Sequence, residues 1–264
     1  MAYLLENGWK LLIQNIFHYN EQFFMINEIL ITGASGKLGQ AILALIPNAK
    51  GANRNDFDLY RLNEISTYLD NNSKIKTIIH CAAMISPPKI NADIAQAIES
   101  NIIGTAFLST ECFKRNIRLI YISTDYVFSG NKGMYKESDE LLPANKYAWS
   151  KLGGECSVQM LEKWVIIRLS FGPDKFPYNA AYTDQYTSRE PVSKIAQKIT
   201  NIVMSEYNGI IHIGGNRKSV YDYALSLAAE NIEPISIKDM NVIMPKDTSL
   251  DTSIYNNLFK NFNL

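Results

Sequence analysis

The stretch EILITGASGKLG, residues 28–39, constrains the fold of this chain more than any other. A short apolar run, read as a strand over 28–32, passes into a turn holding Gly33, Gly36 and Gly39, and then into an apolar-periodic helix ending near Ile46. Glycine permits a tight turn and lets backbone amides approach a pyrophosphate held at a helix N-terminus. The spacing is GxxGxxG rather than GxGxxG. It is not a P-loop either, because Leu38 stands where Ser or Thr should follow Gly36-Lys37. Its place at the first strand–helix junction makes it a dinucleotide turn rather than a plain glycine turn.

Three more apolar runs follow, KTIIHCAA (76–83), RLIYIST (118–124) and WVIIRLS (164–170). Near-continuous apolar runs of this length fit strands buried on both faces, as in a parallel sheet. Helical patterns lie between them over 91–115 and 145–161, the first carrying Ile94, Ala97, Ile98, Ile102, Ala106 and Phe107 at helical spacing. Alternation of this kind predicts an α/β, doubly wound, Rossmann-type sheet. Beyond about Gly172 the regularity fades into GPDKFPYNAAYTDQYTSREP, which reads as loops carrying binding groups. A helix over 193–204, a strand over 209–213 and a helix over 219–229 come after it. The expected organisation is an extension (1–24), a dinucleotide-binding domain (25–170) and a smaller substrate lobe (171–264) interleaved with it.

In dinucleotide folds an acidic residue after the second strand binds the adenosine ribose and selects NAD. The matching stretch here, KGANRNDFDL, has Arg54 at that point. A guanidinium suits a 2′-phosphate, which favours NADPH over NADH; a solvated surface arginine is the competing reading.

Lys+Arg and Asp+Glu both number 26, so the formal net charge is zero. With no basic run, this argues against nucleic acid as a partner. Cys81, Cys112 and Cys156 are too far apart for a CxxC ligand pair and fit reduced, cytoplasmic core thiols. His18, His80 and His212 are equally scattered, so no metal site is expected. Residues 1–24 hold only Lys10 as a Lys or Arg, and polar Gln14 and Asn15 interrupt their apolar run. They are read as an amphipathic extension ahead of a start at Met25, not a signal peptide or a membrane span.

YAWSK, residues 147–151, sets a tyrosine and a lysine one helical turn apart. With 15 tyrosines and 19 lysines in 264 residues, chance alone supplies roughly one such spacing. Its meaning comes from order. TGASGKLG, HCAA, YISTDYVFSG and YAWSKLGGE follow one another as in extended short-chain dehydrogenase/reductases. The central block STDYVFSG, YKESDELLP, YAWSKLGGE resembles the dTDP-4-dehydrorhamnose reductase family. So do DQYTSREPVSKIAQKI, GIIHIGG and SLDTSIY, which extend the likeness over roughly residues 25–260.

The resemblance implies reduction, by a nicotinamide cofactor, of the 4-keto group of a nucleotide-linked deoxysugar, with a homodimer as one form. Thr124, Tyr147 and Lys151 match the family's catalytic triad. Gly33, Ser35, Gly36, Lys37 and Leu38 fall on its phosphate turn. Asp58 and Leu59 match positions beside the adenine, with Arg54 near the ribose. Cys81, Ala82 and Ala83 follow what the family counts as its fourth strand and, with Tyr147 and Lys151, adjoin the cofactor. Asp125 and Tyr126 are expected on the substrate side. Asn101 matches a helix asparagine that holds a water or a backbone kink, or else is a helix-surface or cap residue. Ala148, Trp149 and Ser150 are spacers.

On chemical grounds, a ketone receiving hydride needs a proton from a placed acid. A tyrosine can supply it, with a nearby ammonium favouring phenolate. Two departures from the family pattern bear on substrate: Met84-Ile85 replaces an aromatic-threonine pair, and the segment after Gly172 is some tens of residues shorter. Magnesium at a dimer interface, used by some relatives, lacks a carboxylate cluster here. Two other readings stand: a nucleotide-sugar epimerase or dehydratase, and a non-catalytic NADP-binding regulatory subunit. Asp125-Tyr126 in place of Asp-Glu disfavours the dehydratase. The intact triad weighs against the regulatory subunit.

Overall fold

The computed structural model describes residues 28–228, 231–240 and 244–260. The predicted extension over 1–24 and the end of the helix predicted over 219–229 lie outside these described residues. A six-stranded sheet forms the centre. In chain order its strands are β1 (Glu28–Thr32), β2 (Lys50–Ala52), β3 (Ile75–His80), β4 (Arg118–Ile122), β5 (Trp164–Leu169) and β6 (Gly209–Ile213). Spatially they run β6–β5–β4–β3–β1–β2, and every pairing is parallel.

Alternate residues of each strand feed opposite faces, and both faces are apolar. Ile29, Ile31, Ile79, Ile120, Ile122, Val165, Ile167 and Ile211 point into one core. Leu30, Ile78, Leu119, Tyr121 and Ile166 point into the other. The first core is closed by α1 (Lys37–Leu45), α7 (Val192–Val203) and α9 (Ser253–Leu258). The second is closed by α2 (Leu62–Asn71), α5 (Gly104–Arg115) and α6 (Lys146–Val158). Each fully buried Ile or Leu contributes about 1.5–3 kcal/mol of transfer free energy, so a sheet covered on both sides holds its register firmly.

The predicted strands at 28–32 and 209–213 coincide with β1 and β6. The helix predicted over 91–115 is broken. Pro87–Ala92 (α3) and Ile94–Ala97 (α4) lead into a π-helical turn, Ile98–Ile103, before α5 begins. The Asp93 side chain caps α4 by accepting from the Gln96 amide. The strand preceding Ala82 is third in chain order, not fourth. Both β2, a three-residue strand, and α2 escaped the periodicity reading because neither has a long apolar run.

After β5 the chain builds a small lobe from pairs of very short strands. Phe171–Gly172 pairs with Glu190–Pro191, Ala180–Tyr182 with Glu233–Ile235, and Tyr186–Thr187 with Lys218–Ser219. Ala181, Val220 and Ala224, the latter two on α8 (Val220–Ser226), form its small core. The chain returns to the central sheet for α7 and β6 between these pairs, so the lobe and the sheet are interleaved along the sequence.

Candidate active site

Strand order reverses between β1 and β3, because β2 lies to one side of β1 and the rest of the sheet to the other. Ligands of doubly wound sheets bind at such a switch point, beyond the strand C-termini. A cleft of about 1000 Å³ opens there, bounded by the ends of β1 to β5 and by the small lobe.

The glycine turn forms its floor. Gly33 has φ +68°, and a Cβ there would stand 2.6 Å from the Ala82 amide nitrogen. A side chain at 33 would therefore be strained in conformation and would collide with the loop after β3. The turn closes by a bond from the Gly36 amide to the Gly33 carbonyl at 3.0 Å. Helix α1 then starts at Lys37 with no side-chain cap, so its first amides remain available to a phosphate. The strand ends are pinned together by Thr32, whose hydroxyl meets His80 Nδ1 at 2.7 Å.

Asn101 fixes the loop after β3. Its Oδ1 accepts from the Met84 amide at 2.7 Å, and its Nδ2 donates to the Met84 carbonyl at 2.9 Å and to Ser150 Oγ at 2.8 Å. This is a buried residue inside the π-helical turn, a local widening that such turns often provide at functional sites. Of its two sequence readings, the backbone-holding one matches the geometry. Ser150 is more than a spacer, since its hydroxyl accepts from Asn101 and donates to the Tyr147 carbonyl at 2.7 Å. Ala148 is buried and Trp149 exposed.

The three residues of the expected triad meet at one end of the cleft. Thr124 follows β4, and Tyr147 and Lys151 share one face of α6. The Thr124 and Tyr147 hydroxyls face each other across the cleft end. Burial raises the Tyr147 phenol above its ordinary range, and the Asp125 carboxylate adds to the shift. The protein alone thus holds Tyr147 protonated, where the sequence had suggested a phenolate-favouring site. Lys151 is not among the charges that set this state; its Nζ sits 4.0 Å over the Tyr121 ring. Burial pushes Lys151 down to about 7.

Asp125 is buried, and both its oxygens are engaged. Oδ1 accepts from Thr124 Oγ1 at 3.1 Å and Oδ2 from Thr248 Oγ1 at 2.7 Å. Burial raises its carboxyl to about 6. Tyr126 is half-buried at the cleft edge, and its amide donates to Thr124 Oγ1 at 3.2 Å.

Every residue expected from the sequence lines this one cleft: Gly33, Ser35, Gly36, Lys37 and Leu38 on the floor; Arg54, Asp58 and Leu59 beyond β2; Cys81, Ala82 and Ala83 after β3; Thr124, Asp125, Tyr126, Tyr147 and Lys151 at the far end. Sequence reasoning missed Ser123, Ser170, the Phe171–Pro173 turn and Arg189, all of which also line it. The signal for Arg189 was faint, a lone arginine inside the tyrosine-rich DQYTSREP segment. Among the described residues no group of three or more His, Cys, Asp or Glu could hold a metal ion. Nor is any described helix long and apolar enough to cross a membrane.

A parallel sheet that reverses at a glycine turn, and sets Thr, Tyr and Lys at the end of the same cleft, has the layout of an extended short-chain dehydrogenase/reductase. Residues 27–181 match the family described as the RmlD substrate binding domain, and the chain belongs to that family. It is 31% identical over 151 residues to a dTDP-4-dehydrorhamnose reductase of Aggregatibacter actinomycetemcomitans, covering 54% of this chain and 51% of that one. The chain thus spans about half the length of the curated reductases it matches. It is 27% identical over 272 residues to methionine adenosyltransferase 2 subunit beta of Rattus norvegicus, covering 86% of this chain and 80% of that one. The fold is shared with a dTDP-4-dehydrorhamnose reductase of Bacillus anthracis str. Ames solved in complex with NADP. There the TM-score is 0.78, at 22% identity, over 90% of this chain and 93% of that one.

Proposed function

We propose that the protein is an NAD(P)H-dependent reductase acting on the 4-keto group of a nucleotide-linked deoxysugar. The observation that carries this reading is the convergence of Thr124, Tyr147 and Lys151 at the end of a cleft whose floor is a glycine turn. The cleft fits a dinucleotide, because its floor is a tight glycine turn packed against the loop after β3 and is faced by uncapped helix amides. Gly33, Ser35, Gly36, Lys37 and Leu38 would hold the pyrophosphate, Asp58 and Leu59 the adenine side, and Ala82 and Ala83 the ribose. Arg54, beyond β2, supports NADPH over NADH.

When bound, the nicotinamide supplies a hydride to the carbonyl carbon. Tyr147, kept protonated by burial, donates its proton to the carbonyl oxygen as negative charge gathers there. Thr124 would turn its single hydroxyl proton from Asp125 Oδ1 to the substrate oxygen and so orient it. Asp125 holds the Thr124 hydroxyl and does not need to touch substrate to do so. Lys151 favours the phenolate left behind, by charge. Arg189, at the lobe side of the cleft, suits an anionic substrate group such as a diphosphate.

An alignment with a curated relative favours one second reading. A subunit named methionine adenosyltransferase 2 subunit beta aligns over most of both chains, so a regulatory role built on the same cleft is the alternative. Purified protein mixed with NADPH and a panel of nucleotide-linked 4-keto-6-deoxysugars, followed at the nicotinamide absorbance band, separates the two. Oxidation of NADPH with one of them is the expected result. Tight NADPH binding with no turnover on any sugar would reject the reductase and leave the regulatory role.

A further inference from the structure

The LGGE that follows YAWSK has no part in the chemistry above, yet the structure gives its residues close neighbours beneath the site. Tyr121, the fourth residue of β4, lies fully buried under α6. Its hydroxyl donates to the Lys151 carbonyl at 3.1 Å. Gly154 makes this approach possible, since a Cβ there would stand 2.3 Å from the Tyr121 hydroxyl oxygen. The ring therefore packs closely beneath the helix, and Lys151 Nζ rests over it at 4.0 Å from the centroid.

The groups facing that ammonium explain why a ring is there. His80, on β3, packs against Tyr121 with centroids 5.6 Å apart. Both its nitrogens face hydroxyls, of Thr32 and Thr105, and burial depresses it to about 3, so it is neutral. Burial raises the Cys81 thiol to about 12, so it too is uncharged at neutral pH. Glu155, one turn further along α6, is the anionic neighbour, but Arg168 claims both its oxygens, at 3.1 and 2.8 Å, and Ser123 also donates to it. Tyr147, on the same helix face, is neutral in the free protein. Among the described residues Lys151 makes no hydrogen bond through Nζ to a protein acceptor.

We propose that Tyr121 is a positioning residue for Lys151: its ring face holds the ammonium in place without neutralising it and without using its N–H groups. A carboxylate partner would do the opposite, cancelling the charge that Tyr147 needs and occupying donors that a ligand hydroxyl requires. The attraction of a cation to a ring face is electrostatic, falls with the electron density of the ring, and is stronger in a dry site. The geometry thus converts Gly154 and Tyr121, neither of which touches a ligand, into determinants of where the cation stands. The use of that cation rests on the reductase reading; its placement does not.

The test replaces Tyr121 in the full chain by phenylalanine and by pentafluorophenylalanine, which share a shape but differ in ring electron density. Lysine labelled with carbon-13 at Cε reports the titration of Lys151 by NMR, with its signal assigned by loss in Lys151→Met. Tyr121→Phe should titrate as the wild type does. The fluorinated ring should lower the midpoint by about one pH unit, because the charged form loses its partner. Equal midpoints for the two rings would overturn the proposal. So would a shift in Tyr121→Phe as large as in the fluorinated protein, since the hydroxyl and not the ring would then hold the helix. Absence of turnover with every sugar leaves this readout intact, so failure of the reductase reading and failure of the positioning role remain distinct.

Discussion

Asn101 and Ser150 join two helical segments at the point where both approach the cleft, the Asn101 amide donating to Ser150 Oγ at 2.8 Å. The same amide group binds both the amide and the carbonyl of Met84, so one side chain ties α6, the π-helical turn and the loop after β3 into a single unit. Removing it takes a partner from four buried or half-buried polar groups, the Met84 amide and carbonyl and the Ser150 and Ser100 hydroxyls. Asn101→Ala should cost about 2–4 kcal/mol, as several hydrogen bonds are lost and their partners left unpaired. Urea unfolding reads the loss, and hydrogen exchange at the Met84 amide should speed up well beyond the global change.

On the proposed reading, Tyr147→Phe removes the proton donor while keeping the ring. Turnover should fall about 10²–10⁴-fold, the span a placed general acid supplies. NADPH affinity, measured by fluorescence titration, should stay within about threefold, because the glycine turn and not the phenol holds the phosphates. Retained turnover would contradict the assignment of the acid.

Two buried groups give stability opposite slopes with pH. Asp125 titrates near 6 in the fold against an ordinary 3.8, so between these values the unfolded chain binds fewer protons and stability falls as pH rises. Lys151 titrates near 7 against an ordinary 10.5, so between those values the unfolded chain binds more protons and stability rises with pH. Asp125→Asn should flatten the fall, worth on the order of 2–3 kcal/mol, and Lys151→Met should flatten the rise. Thermal melting across pH 4–10 measures both.

Glu155 and Arg168 form an ion pair with almost no solvent contact, their side chains 0% and 1% exposed. Deleting one partner leaves an uncompensated buried charge. Glu155→Ala should therefore destabilise by about 3–5 kcal/mol, while Glu155→Leu combined with Arg168→Met should recover most of that loss. Chemical denaturation of the two proteins makes the comparison.

Arg54→Ala tests the choice of cofactor. Loss of a guanidinium beside a 2′-phosphate should weaken NADPH about tenfold and leave NADH nearly unchanged, each hydrogen bond to a charged group being worth about 1.5–3 kcal/mol. Equal weakening of both would place Arg54 elsewhere than at the 2′-phosphate.

Much of the frame was legible in the sequence because its signals are local. β1 and β6 are continuous apolar runs buried on both faces, and periodicity marks those directly. The glycine turn and YAWSK sit at helix starts, where short patterns have positional meaning. Other features depend on partners distant in the chain. Helical spacing over 91–115 conceals the widened turn that seats Asn101, because its cause is Met84, seventeen residues upstream. Arg189 enters the cleft only because Glu190–Pro191 pairs with Phe171–Gly172, a contact no local window contains. The protonated state of Tyr147 follows from burial together with the Asp125 carboxylate, neither of which residue type alone conveys.

Thr248 comes 123 positions after Asp125, yet its hydroxyl secures that carboxylate and through it the hydroxyl of Thr124. A nascent chain therefore holds its sheet, glycine turn and Thr–Tyr–Lys set some time before it holds a finished site. Translation and assembly run in different orders here: Thr124 is made early, and its hydroxyl is anchored only once Thr248 has followed it out of the ribosome.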